Sequence, residues 1–227
     1  MIDTVAELEA QADPARAADM AAYHKVERRY LGVSNPVIND LTKTWRRAMS
    51  LEDRLTQADR LWRGNSHEGR IAAAKLLTQA RIKNDEPVWD MIRNWVPEFD
   101  AWAIADHACS AGARRLVADP SRLDEVETWT RDPSMWVRRA ALVITLPWTK
   151  QNHPTPEDER IRDRVQGWTQ AYVTDSEWFI QKAVAWWMRE LSKHDPDRVT
   201  RFLAAHGEKM KPFARREAAK YLPETTT

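Results

Sequence analysis

Residues 67–77 read HEGRIAAAKLL, and the same pattern returns three times, as WVRRAALVITL (136–146), FIQKAVAWWMREL (179–191) and FARREAAKYL (213–222). Each segment places a basic residue just before small and apolar residues at helical spacing. The corresponding basic residues, separated by 69, 43 and 34 positions, are Arg70, Arg139, Lys182 and Arg216. The separation of 69 corresponds to two repeats, and the skipped repeat lies near Ala105. The separation of 43 includes an insertion. A period of roughly 34 residues is typical of helical-repeat solenoids.

Helix boundary signals divide the rest of the chain. Asp13-Pro14, Asn35-Pro36 and Thr155-Pro156 are helix starts, and Gly64 and Gly207 lie where helices should stop. No segment alternates with period two, so we predict no sheet. The signals predict about thirteen helices, at 2–12, 15–30, 36–49, 51–63, 67–81, 86–95, 100–118, 121–131, 134–147, 157–173, 176–193, 196–206 and 212–222.

The predicted fold is therefore all-α, a superhelical solenoid of about six antiparallel helix pairs. We expect one domain over residues 1–222 and a flexible tail at 223–227. The sequence has 6 glycines and 12 prolines, a composition that disfavours strands joined by tight turns. Neither a signal peptide nor a membrane span is predicted, and Cys109 is the single cysteine, which suits a reducing compartment. We expect a cytoplasmic monomer that does not bind membranes.

Metal and thiol chemistry are disfavoured. None of the six histidines is three or four residues from another, and there is no second cysteine, so a zinc site is not expected. Side chains two apart on a helix, such as His107 and Cys109, point away from each other. With no glycine-rich phosphate loop either, we expect no metal and no cofactor.

Two helix faces could form a catalytic or binding site. Trp102 and Asp106 are four residues apart, among alanines that would let another molecule approach closely. Lys182, Trp186 and Arg189 share a second, basic and aromatic face. The sequence has 12 tryptophans, and most of them should fill the core between helices. The alternative for the first pair is accordingly a core tryptophan and a surface aspartate.

The charge pattern leaves the ligand open. The net charge is only +1, which counts mildly against nucleic acid. The repeated basic positions at Arg139, Lys182 and Arg216 would nevertheless line one groove, and DNA is the obvious elongated polyanion for it. The alternative is that each of these residues begins its helix and pairs with the preceding repeat.

Four segments resemble successive signatures of the bacterial AlkD-type alkylpurine DNA glycosylases, a DNA alkylation repair family with HEAT-like repeats. They are MAAYHKVERRYLGV (20–33), FDAWAIADHA (99–108), MWVRRAA (135–141) and FIQKAVAWWMREL (179–191). Their order and separations match as well, so the resemblance extends from about residue 17 to 222. It implies a solenoid of HEAT-like helix pairs, the fold that the repeat period predicts.

The resemblance also implies an activity, the excision of bases alkylated at N3 or N7 from double-stranded DNA. It assigns the catalytic carboxylate to Asp106 and the two tryptophans of the site to Trp102 and Trp186. The DNA-binding residues that it implies, together with those from the repeat, are Arg139, Arg189, Lys182, Tyr23 and Arg216. One departure is His24, which follows the family's tyrosine where an apolar residue is usual.

Excision of such a base needs few catalytic side chains. A purine alkylated at N3 or N7 is already positively charged, so its departure needs no acid. One carboxylate can stabilise the oxocarbenium-like sugar and orient water, and aromatic faces can hold the cationic base. Two alternatives remain open, a non-catalytic DNA-structure binder on the same scaffold and a protein–protein adaptor.

Overall fold

The structure is a computed structural model that describes residues 2–223, and within them it is all-helical, as predicted. The described residues form thirteen α-helices and no strand. The helices are α1 (Thr4–Glu9), α2 (Pro14–His24), α3 (Asn35–Ala48), α4 (Leu51–Arg63), α5 (His67–Leu77), α6 (Glu86–Trp95), α7 (Trp102–Ala118), α8 (Leu123–Trp129), α9 (Met135–Val143), α10 (Pro156–Ala171), α11 (Trp178–Ser192), α12 (Pro196–His206) and α13 (Pro212–Ala218).

The chain divides into two compact units, Met1–Ala118 and Asp119–Thr227, which we call the N-terminal and C-terminal units. The single domain predicted over 1–222 stays a prediction. The predicted tail at 223–227 lies, apart from Pro223, outside the described residues. Within residues 2–223 no helix has the length and hydropathy needed to cross a bilayer.

The repeated segments stack on one another within each unit. In the N-terminal unit, α5 packs against α3, α4 and α7. In the C-terminal unit, α11 packs against α9, α12 and α13. The segments with the shared pattern are α5, α9, α11 and α13, and α7 is the skipped repeat. Within each unit, neighbours in this series contact each other, as expected when helix pairs stack in tandem.

The basic residues at the equivalent repeat positions do not share one environment. Arg70 and Arg139 are buried, with 8% and 4% of their surfaces exposed, whereas Lys182 and Arg216 are exposed. Arg70 pairs with Glu98 across 2.9 Å. The expectation that these equivalent positions all present exposed cations to one groove therefore does not hold for Arg70 and Arg139, because a cation in the first turn of a well-packed helix can be buried against neighbouring segments.

Local capping chemistry explains several of the helix boundaries. The Asp13 carboxylate accepts hydrogen bonds from two amides of the first turn of α2, and Thr155 and Asp158 form a capping box at the start of α10. At α3 the capping position is Ser34 rather than Asn35, which is the first helical residue. Gly64 and Gly207 follow the ends of α4 and α12 as predicted.

The helix predicted at 15–30 is wrong in its second half. The chain leaves α2 at Lys25, whose φ of 55° is left-handed, and continues as a loop to Ser34. Gly32 in this loop has a φ of +78°, and a Cβ atom there would lie 2.0 Å from the Asp13 carbonyl oxygen. The loop exists because the rest of the N-terminal unit holds it, which local sequence does not reveal.

Candidate functional site

The first turn of α7 presents Trp102 and Asp106 on its accessible side. Trp102 is 37% exposed and Asp106 is half-buried, while Ile104 and Ala105 between them are fully buried. The face that the i, i+4 spacing predicts is therefore separate from the core face of α7. Trp102 is not a core residue, unlike eight of the twelve tryptophans, which are Trp45, Trp62, Trp89, Trp95, Trp129, Trp148, Trp168 and Trp187.

Tyr23, at the end of α2, lies next to Trp102. Their ring centroids are 6.4 Å apart and nearly perpendicular, and Tyr23 is 69% exposed. The His24 ring lies 5.6 Å from Trp102 and 5.0 Å from Tyr23. The structure thus brings together the predicted tyrosine and the predicted tryptophan of the N-terminal unit, with His24 in contact with both rings.

Two further rings, those of His67 and Tyr30, lie next to His24. The His24 ring is 4.3 Å from that of His67 and 6.1 Å from that of Tyr30, and the rings of His67 and Tyr30 are 5.0 Å apart. His67 is only 1% exposed, and this burial, with the neighbouring His24, Arg28 and His107, lowers its pKa to about 3. Burial also lowers the pKa of His107 to about 4. Both rings are accordingly neutral at pH 7.

A buried carboxylate holds the loop that carries Tyr30. Glu68 is fully buried, and its two oxygens accept hydrogen bonds from the amides of Leu31 and Gly32, at 2.9 and 2.7 Å. In addition, Arg28 pairs across 2.5 Å with Asp100, two residues before Trp102. Sequence reasoning missed both of these supports, because nothing local marks Glu68 or Arg28 as more than a helix-surface charge.

The predicted residues of the C-terminal unit lie on α11. Lys182 is exposed, and its ammonium group lies 4.7 Å from the ring centroid of Trp178, one turn earlier. Trp186 is half-buried. Arg189 is also half-buried and forms ion pairs with Glu190 and with Glu217 of α13. Its charge is therefore largely compensated within the protein.

An open groove of about 530 Å³ lies between α11 and α13, and Lys182 and Arg216 both line it. Trp178, 48% exposed, and Phe213 also line it, with their ring centroids 5.7 Å apart. Lys220 contributes a third cation. No pattern in the sequence indicated a role for Trp178, Phe213 or Lys220, although Trp178 precedes Lys182 by one helical turn and so shares its face.

Arg139 occupies a different environment on α9. Its guanidinium carbon lies 6.0 Å from the ring centroid of Trp136, and only 4% of the residue is exposed. Its role as a DNA contact stays a prediction, as do the roles of the other site residues. Among residues 2–223 no group of three or more His, Cys, Asp or Glu side chains could hold a metal ion.

The stacked helix pairs define a helical-repeat protein, and the start of α7 carries a tryptophan and a carboxylate on its accessible side. The chain belongs to the family of DNA alkylation repair enzymes, whose sequence model matches residues 4–222. This match confirms the family resemblance of the four quoted segments. No curated protein sequence matches the chain.

Solved structures share the fold. A predicted DNA alkylation repair enzyme from Enterococcus faecalis superimposes with a TM-score of 0.78 at 24% identity, over 95% of this chain and 98% of that one. AlkD2 from Streptococcus mutans gives a TM-score of 0.61 at 16% identity, over 92% of this chain and 98% of that one. Both similarities support the all-helical repeat architecture.

Proposed function

We propose that this protein is a monofunctional DNA glycosylase that hydrolyses the N-glycosidic bond of purines alkylated at N3 or N7 in duplex DNA. The observation that carries the proposal is the arrangement of side chains at the start of α7. There an exposed indole and a half-buried carboxylate stand one helical turn apart, beside the exposed ring of Tyr23. The family to which the chain belongs is described as DNA alkylation repair enzymes, which agrees with this chemistry.

The bound base is held by aromatic faces. A purine alkylated at N3 or N7 is cationic, and a cation is attracted to the electron-rich face of an indole or phenol. Trp102 and Tyr23 offer such faces, and their nearly perpendicular rings form a corner. Trp186, whose role the resemblance implies, is a further aromatic ring in the proposed set.

Asp106 supplies the catalytic charge. As the glycosidic bond lengthens, positive charge develops on the sugar, and a fixed carboxylate stabilises it. The same carboxylate can accept a hydrogen bond from the attacking water and orient it toward C1′. The base leaves as a neutral molecule because its positive charge is cancelled by the bonding electrons, so no acid is needed at the base.

The C-terminal unit is proposed to contact the phosphates. Lys182, Arg216 and Lys220 place three cations around the groove between α11 and α13. Among the described residues that line this groove, the one acidic side chain is Glu217, which pairs with Arg189. Lysine and arginine contacts to phosphate fix register without reading sequence. Together with the predicted contacts of Arg139 and Arg189, they would let the enzyme bind duplexes of any sequence.

The direct test is release of free base. The protein is incubated at pH 7.5 with a duplex containing one N7-methylguanine, and free base is measured by chromatography against the same duplex without protein. Faster release with protein is the expected result. Binding that loses affinity steeply with salt but releases no base would identify a non-catalytic DNA binder. An absence of any salt-dependent binding would favour a protein–protein adaptor.

A further inference from the structure

The His24 ring contacts two exposed aromatic residues of the N-terminal unit, Tyr23 and Trp102. Its centroid lies 5.0 Å from that of Tyr23 and 5.6 Å from that of Trp102. A charge on this imidazole would be felt by any molecule stacked on either ring. The charge state of His24 therefore bears on which ligands the aromatic corner accepts.

The surroundings of His24 disfavour a second proton on its ring. Its Nδ1 atom is buried and has no hydrogen-bond partner among the described residues, and the same holds for Nδ1 of His67 behind it. An imidazolium donates from both ring nitrogens, so protonation would leave a buried N–H without an acceptor. A neutral imidazole needs only one donor and leaves Nδ1 as a lone pair.

The charged groups around His24 come from three segments. From α5, the His67 ring lies tilted against that of His24 and Glu68 acts on it as an opposite charge, but both Glu68 oxygens already accept hydrogen bonds from the amides of Leu31 and Gly32. Arg28 of the loop acts on His67 as a positive charge, which its ion pair with Asp100, just before α7, partly compensates, whereas His107 of α7 is neutral at pH 7. Burial lowers the pKa of His24 below 6.5, and Glu68 opposes this shift without cancelling it.

We propose that His24 is a specificity-determining residue, which presents an uncharged ring behind Tyr23 and Trp102 so that this corner accepts a positively charged purine. The inference rests on the proposed function, because it takes the ligand to be a cationic base. The His24 ring lies 5.6 Å from that of Trp102, so a cationic base in van der Waals contact with the far side of Trp102, roughly 3.5 Å further, would lie about 9 Å from a charged His24. At an effective dielectric constant of about 20, repulsion over that distance weakens binding about tenfold or more.

The test measures selectivity for charge. Two duplexes of the same sequence are compared, one with 2′-fluoro-7-methyl-deoxyguanosine, which is cationic and resists hydrolysis, and one with deoxyguanosine. The ratio of their dissociation constants is measured with the full chain between pH 7.5 and 5.0. The wild-type ratio should fall as His24 takes up its proton, by about tenfold once the ring is fully charged, and the His24→Phe variant, which keeps a ring but cannot titrate, should keep a constant ratio.

The matched control is His206→Phe. His206 also contacts an aromatic ring, that of Phe202 at 5.1 Å, but in the C-terminal unit. This variant should follow the wild type. If His24→Phe loses stability, His24→Gln provides a second neutral side chain at the same position. Selectivity that falls at the same pH in wild type and in the folded neutral variants overturns the inference.

Nuclear magnetic resonance of the wild type locates the titration itself, with the His24 signal assigned by its loss in His24→Phe. Its midpoint should lie below 6.5 and coincide with the fall in selectivity. A His24 that is charged at pH 7, or that titrates without any change in selectivity, also overturns the inference. The base-release assay decides the proposed function separately, since selective binding of the cationic duplex without release contradicts only the glycosylase activity.

Discussion

Asp106 is the side chain on which the proposed chemistry depends most directly. The Asp106→Asn variant keeps the shape of the residue and loses its charge, so we expect excision of N7-methylguanine to fall about 10²–10³-fold. Duplex affinity and melting temperature should change little. All three quantities are measured on one preparation, and the excision rate is compared with spontaneous depurination.

The matched control for Asp106 is Asp90→Asn. Asp90 is also half-buried, but it lies on α6 and pairs with Arg93 at 2.8 Å on the same helix. Its removal should leave the excision rate unchanged. Unchanged excision in a folded Asp106→Asn protein would remove Asp106 from the mechanism, whereas a joint loss of stability, affinity and activity would make it a structural residue.

His67 couples folding to pH. Its pKa is about 3 in the folded protein against 6.5 in the unfolded chain, so the unfolded chain takes up a proton first as the pH falls. The free energy of unfolding should therefore decrease below pH 6.5, by about 2 kcal/mol for this residue at pH 5. Denaturant titrations of wild type and His67→Gln between pH 7.5 and 5 should show a shallower decline in the variant. Equal declines would mean that His67 is not buried in its neutral form.

The loop between α2 and α3 depends on glycine. Gly32 adopts a φ of +78°, and a Cβ there would meet the Asp13 backbone at 2.0 Å. Gly32→Ala should therefore destabilise the protein by about 2 kcal/mol or more. Gly167, inside α10, has open space within 4 Å of the position that a Cβ would take. Gly167→Ala is the control, and it should stabilise by about 0.5–1 kcal/mol. Denaturant unfolding of both variants tests the contrast, and an equal effect of the two would contradict it.

Element boundaries were predictable where the signal is local. The helices predicted at 51–63, 86–95 and 196–206 have those bounds in the structure, since caps and proline positions act within one turn. The end of α2 was not predictable, because the left-handed Lys25 and the loop after it are held by Glu68, 36 to 37 residues further along the chain.

The residues of the candidate site likewise divide into those that local sequence predicts and those that depend on contacts between distant segments. The shared face of Trp102 and Asp106 could be read from helical spacing, and Tyr23 entered through the family resemblance. The contact of His24 with Trp102 joins segments far apart in sequence, so spacing could not predict it. The burial of Arg139 and the compensation of Arg189 by Glu217 also depend on neighbouring helices, which explains why similar basic positions differ in exposure.

The net charge of +1 makes the distribution of cations decisive for DNA binding. Lys182→Ala should weaken duplex affinity and reduce the slope of log K against log salt by about 0.9, the value for one lost phosphate contact. Arg160→Ala is the control, because Arg160 is exposed but paired with Glu157 on its own helix, and its loss should not change the slope. Fluorescence anisotropy at several salt concentrations measures both. If Arg160→Ala changes the slope and Lys182→Ala does not, the phosphates are bound elsewhere on the protein.

The buried carboxylate of Glu68 has a consequence for hydrogen exchange. The amides of Leu31 and Gly32 lie in a loop, where exchange with solvent is usually fast. Their protons are donated to the oxygens of a side chain that is itself fully buried. These two amides should consequently exchange only when α5 separates from the loop, as slowly as amides inside helices. In deuterium labelling, the segment after α2 should appear as part of the most protected region of its unit.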